Sequence, residues 1–75
     1  MNKLKVITNG VSKRLKEVRS GAGLTQAVFG AKIGISVGYM GMLENGRRKP
    51  SQGLIIAISS RFGIDENWLR TGRRK

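Results

Sequence analysis

The chain has 75 residues, no cysteine and no histidine, and fifteen Lys and Arg against four acids (Glu17, Glu44, Asp65, Glu66), for a net charge of +11. This length supports one domain near the lower limit for a self-sufficient core, and the composition excludes disulfides, thiol chemistry, Cys/His zinc sites and imidazole catalysis. The cationic surplus calls for a polyanionic partner, nucleic acid first and an anionic membrane surface second.

Taken in chain order, residues 1–8 allow a short extended arm, because Leu4, Val6 and the neighbouring lysines alternate. The opening MNKLKVITNG is too short and too weakly apolar to read as a secretion signal. A first helix is predicted from Val11 to Ser20, with Val11, Leu15 and Val18 on one face. Gly21 and Gly23 end it. Thr25 caps a second helix, Gln26 to Ile33, and Gly34 suits the left-handed residue that stops it. Ser36 caps a third helix running to Glu44, and Asn45-Gly46 is a turn signal. Arg47, Arg48 and Lys49 form a basic loop closed by Pro50. Ser51 caps a fourth helix, Gln52 to Phe62, whose core face is expected to carry Ile55, Ile58, Ser59 and Phe62. Asp65 caps a short fifth helix with Trp68 and Leu69, and residues 71–75 read as a frayed basic tail. No run approaches the ~20 apolar residues needed to span a bilayer.

The segment from Thr25 to Asn45 has the spacing of two helices joined by a tight turn. Buried positions are expected at Phe29, Ile33, Ile35, Met40 and Leu43. Gly30 falls where the helices come closest, so that a side chain larger than Ala would push them apart. Gly34 supplies the positive φ of the turn. An ordinary helical hairpin would explain the apolar positions but not the charge around them. Those charges fall in clusters: Lys13, Arg14, Lys16 and Arg19; Arg47 to Lys49; and Arg70, Arg73, Arg74 and Lys75.

The pieces RLKEVR, LTQAVFGAKIGIS, YMGMLENGRRKPS and FGIDENWLRTG, spread from Arg14 to Gly72, resemble the Cro/cI-type helix-turn-helix domains of phage repressors and related bacterial regulators. The resemblance implies a compact five-helix, lambda-repressor-like domain that binds operator DNA, usually as a dimer on a two-fold-symmetric site. It implies that Thr25 and Gln26, at the start of the second helix, meet a DNA phosphate, as do Asn45, Arg47, Arg48 and Lys49 after the third. It implies an ion pair between Arg19 and Glu44 that ties helix one to helix three. It also implies a closing apolar plug of Trp68 and Leu69.

The third helix departs from that family. Positions that usually carry hydrogen-bonding side chains hold Val37, Gly38, Gly41 and Met42. Each glycine costs on the order of 1 kcal/mol of helix stability relative to Ala. On one reading the glycines let the backbone sink into the groove, Val37 and Met42 touch thymine methyls, and Ser36 and Tyr39 bond bases or phosphate. On a second, Val37, Met40 and Met42 dock a protein. On a third, the helix has drifted on a protein that binds through charge. Leu54 and Ile56 on the fourth helix suggest a dimer or partner interface, unless the N-terminal segment or the tail covers them.

The expected protein is therefore an all-α, single-domain, sequence-specific double-stranded DNA-binding regulator of the phage-repressor type. It would occupy a promoter as a homodimer in the cytoplasm, with no cofactor, metal, membrane or small-molecule ligand. No catalytic constellation is legible. The rival is a protein-binding module of the same fold, such as an antirepressor or an antitoxin-like partner.

Overall fold

The computed structural model describes residues 10–73. The expected arm over residues 1–8 and the last two positions of the expected tail lie outside the described residues. Within them the chain forms α1 (Val11–Gly21), α2 (Gln26–Ile33), α3 (Val37–Glu44), α4 (Gln52–Phe62) and α5 (Glu66–Thr71), and no strand. None of these helices is long and apolar enough to cross a membrane.

Local chemistry fixes most boundaries. The side chains of Thr25, Ser36 and Ser51 each accept a hydrogen bond from the backbone N–H three residues on, and Asp65 accepts from the N–H of Asn67. These bonds satisfy donors that a helix N-terminus leaves without partners. Gly34 ends α2 at φ 83, and the Ile35 N–H returns to the Gly30 carbonyl at 2.9 Å. An L side chain at Gly34 would be strained at that φ. α1 runs one residue beyond the expected Ser20, because Ala22 still donates to the carbonyls of Val18 and Arg19.

The core is built from Val11, Leu15 and Val18 of α1, Phe29 of α2, Met40 and Leu43 of α3, Ile55 and Ile58 of α4, and Leu69 of α5. Phe62 stacks on Phe29 with ring centroids 4.6 Å apart. Ile33 and Ile35, expected to be buried, are only partly so; they pack on the core from the α2–α3 turn, which keeps one side open to solvent. Ser59 does sit on the core face of α4, with its hydroxyl buried and no protein partner.

Two long-range clasps close the domain. Arg14 donates from Nε to the Leu69 carbonyl at 3.0 Å and from Nη2 to the Arg70 carbonyl at 3.2 Å. It places a cation on carbonyls at the end of α5, where charge and hydrogen bonding both favour it. Gln52 Nε2 donates to Glu66 Oε2 at 3.0 Å and joins the start of α4 to the start of α5. The chain end is less frayed than expected. Thr71 belongs to α5, the Arg73 N–H donates to Thr71 Oγ1, and Asn67 Nδ2 donates to the Arg73 carbonyl.

Candidate nucleic-acid interface

α3 divides sharply between an inner and an outer side. Met40 and Leu43 are fully buried, and Tyr39 packs against the core from the inner edge. Val37 is 52% exposed, Gly38 is exposed and Gly41 and Met42 are half-buried. At about 100° per residue, Val37, Gly41, Gly38 and Met42 follow one another around the helix across an arc of about 140°. Met40, included in the docking-surface reading, lies on the opposite side and cannot contribute to it.

Glu44, the last residue of α3, is the anchor of this helix. Its carboxylate takes two bonds from Arg19, Nε to Oε2 at 2.6 Å and Nη2 to Oε1 at 3.0 Å. Gln26 Nε2 adds a third, to Oε1 at 3.0 Å. Arg19 Nη1 also donates to the Leu24 carbonyl ahead of α2. One cluster thus joins α1, the start of α2 and the end of α3. The side chains of Arg19 and Glu44 are only 16% and 5% exposed, so water screens the pair little. Burial pushes the Glu44 carboxyl up, but the bonds from Arg19 and Gln26 and the charges of Arg19 and Lys16 outweigh it and hold the group below its ordinary value. The hydrogen bond to Glu44 raises Arg19, against some desolvation.

Gln26 occupies a junction. Its amide nitrogen is turned to Glu44, while its Oε1 lies 3.8 Å from where a Cβ on Gly41 would be. The start of α2 therefore abuts the outer side of α3. Thr25 stands exposed at this edge as the cap of α2. At the other end of α3, Asn45 Oδ1 accepts from the Arg47 N–H, and the N–H groups of Arg47 and Arg48 both return to the Met42 carbonyl. The resulting tight turn leaves the side chains of Arg47, Arg48 and Lys49 exposed directly beyond α3. Ser36 caps the helix and is itself exposed.

The glycines of the motif fall into two classes. A Cβ on Gly30 would lie 2.7 Å from the Ile35 carbonyl oxygen, so even Ala, which the sequence reading tolerated, meets backbone there. A Cβ on Gly38 would meet nothing within 4 Å, and on Gly41 only the Gln26 side chain at ordinary contact distance. Nothing within the described chain calls for glycine at 38 or 41.

Two members of the first basic cluster serve the fold: Arg19 clasps α3 through Glu44, as the resemblance implied, and Arg14 clasps α5, which nothing in the sequence signalled. Charge is visible in a sequence, whereas a partner 55 residues away is not. On α4, Leu54 is partly buried against the core while Ile56 is 47% exposed, so most of the apolar surface of that pair is Ile56. A surface cleft bordered by Val18, Phe62, Ile64 and Trp68 includes no residue of α2 or α3.

Two helices at a tight turn, the second with an outer side open to solvent at Val37 and Gly38 and with basic groups beyond its end, define a helix-turn-helix DNA-binding domain. The chain belongs to the helix-turn-helix family, whose model matches residues 15–69, consistent with the resemblance to Cro/cI-type domains. It is similar to a propionyl-CoA carboxylase regulator of Cereibacter sphaeroides, 38% identical over 58 residues that cover 77% of this chain. The chain spans about 13% of the length of that relative. It is thus a DNA-binding domain of the kind that transcription regulators carry.

Proposed function

We propose that this domain recognises a specific double-stranded operator and represses transcription by occupying a promoter, as a homodimer on a two-fold-symmetric site. The observation that carries this reading is the placement of α3. Its outer side is open at Val37 and Gly38, Gln26 at the start of α2 borders it at Gly41 with Thr25 exposed at the same edge, and Arg47, Arg48 and Lys49 are exposed beyond its end. With α3 in the major groove, the N-terminus of α2 and the 45–49 loop fall to the phosphate backbones. Phosphate contacts of this kind set affinity and register, and the outer residues of α3 (Val37, Gly38, Gly41, Met42), with the Ser36 cap and Tyr39 at the inner edge beside them, set sequence preference. Ile56, with the exposed part of Leu54, is the apolar surface assigned to the dimer.

Selection of binding sites from random duplex DNA at physiological salt tests the proposal. The expected result is a two-fold-symmetric consensus, protected as a short footprint, with affinity falling steeply as salt rises. A pool that stays featureless through repeated rounds overturns it and favours the reading in which this fold docks a protein.

A further inference from the structure

We infer that α3 reads the 5-methyl groups of pyrimidines, through apolar contact from Val37 and Met42, and takes no hydrogen-bonded base code from its outer side. The inference deepens the operator-binding reading and rests on it. The outer arc of α3 holds Val37, Gly41, Gly38 and Met42 and not one side-chain hydrogen-bonding group. Its polar neighbours lie off the arc, and each makes a bond within the domain. Ser36 Oγ accepts the Tyr39 N–H as a helix cap, Asn45 Oδ1 accepts the Arg47 N–H, and Gln26 Nε2 is bonded to Glu44. Tyr39 packs toward the core.

The major-groove edge of a base pair presents polar atoms, with a single apolar exception. Purines show N7 with O6 or N6, cytosine shows N4, and thymine alone shows a methyl beside its O4. An apolar surface can favour one base over another only through that methyl; against every other edge it strips water from polar atoms and returns nothing. Val37 and Met42 stand at the two margins of the arc, with bare backbone between them at Gly41 and Gly38. A Cβ at Gly38 would meet nothing within 4 Å among the described residues, which leaves room over that position for a partner. A base edge can therefore lie against the helix backbone while its methyl meets a flanking side chain. Valine gives a rigid, branched contact, and methionine an adaptable one. The ligand class is a duplex rich in thymine at the centre of each half-site, or one carrying 5-methylcytosine at the same positions.

The test uses the duplex recovered by site selection. Each thymine of a half-site is replaced by deoxyuridine, which removes the methyl and leaves the O4 acceptor and the pairing unchanged. Binding is measured at fixed salt. At one or more positions affinity is expected to fall about fourfold, the effect of losing one buried methyl-sized group. Exchanging such a T·A pair for C·G should weaken binding, and 5-methylcytosine in that C·G pair should recover about the same fourfold. Val37→Ala or Met42→Ala should bind thymine and uracil duplexes alike, with the salt slope unchanged. Both side chains lie outside the core, and melting temperatures confirm that the variants fold. Specific binding that is indifferent to uracil at every position overturns the inference and leaves the operator-binding reading standing. If no sequence is selected at all, the operator-binding reading fails first, and this inference with it.

Discussion

Replacing Gly30 by Ala is the most direct test of how the two helices of the motif are held. The new Cβ would stand 2.7 Å from the Ile35 carbonyl oxygen, whereas ordinary contact begins at 3.4 Å, so the turn must move by about 0.7 Å. The obstacle is backbone, and the same segment donates the Ile35 N–H to the Gly30 carbonyl at 2.9 Å. Overpacking of this kind costs about 1–3 kcal/mol, and weakening a partly buried backbone hydrogen bond adds up to about 1 kcal/mol. Ala is the better helix former by about 1 kcal/mol, which offsets part of this. The net expectation is a loss of about 2 kcal/mol, or a melting temperature lower by about 8–16 °C for a domain of this size. Gly41→Ala is the matched control. Its Cβ would make only ordinary contact, at 3.8 Å from Gln26 Oε1, so the helix-propensity gain of about 0.5–1 kcal/mol should appear undiminished. Urea unfolding followed by far-UV circular dichroism reads both. If Gly30→Ala is as stable as the parent with an unchanged m-value, the close approach of α2 to the turn is not a constraint and this reasoning is wrong. If Gly41→Ala is stabilised yet binds its selected operator as tightly as the parent, the glycine is not there for the DNA.

The Arg19–Glu44 pair predicts an acid limb of stability. Glu44 is held below its ordinary value in the folded state, so its contribution is complete above the unfolded carboxylate range near ~4.3 and is lost as pH falls through the lower folded value. Unfolding of Glu44→Gln as a function of pH should show a shallower acid limb than the parent; an identical limb would refute the assignment. Arg19→Met, which leaves a nearly buried carboxylate without its paired cation, should cost about 2–4 kcal/mol in denaturant unfolding. Arg47→Ala, Arg48→Ala and Lys49→Ala should each weaken binding to all duplexes and lower the slope of log affinity against log salt by about 1, as titrations at several salt concentrations would show. Ile56→Lys should shift the protein toward monomer in sedimentation if the exposed face of α4 pairs two copies; an unchanged oligomeric state places the dimer contact elsewhere.

Features set by local chemistry were legible in the sequence. Thr25, Ser36, Ser51 and Asp65 each cap the helix predicted to follow them, because a cap depends on two or three neighbouring residues. α2 and α4 have the predicted bounds, since a left-handed glycine closes each. What was not legible depends on direction in space. Arg14 looks like its neighbours Lys13 and Lys16 in the sequence, and only the packed fold turns it inward to α5, whereas the Arg19–Glu44 pair was already implied by the family resemblance. Ile33 and Ile35 have the hydrophobicity of core residues, but they lie where the chain turns and cannot be enclosed on all sides. The helix-turn-helix was legible through its motif, and the side-chain contacts around it, the Arg19–Glu44 pair apart, were not. The engagement of Gln26 with Glu44 depends on two helices meeting, which spacing alone does not report.

In α3 the outer residues are separate from those that hold the helix in place. With two glycines in eight residues, it has little intrinsic tendency to be helical. Its conformation is imposed by three points on one side, Met40 and Leu43 in the core and Glu44 in the Arg19–Gln26 cluster, and by the Ser36 cap at its start. None of these lies on the outer arc. The outer residues can therefore be exchanged without disturbing the helix, and exchange at Gly38 or Gly41 would by itself raise stability. Glycine at these two positions gains nothing for the fold, so its physical justification must be sought in what lies against the outer side of α3.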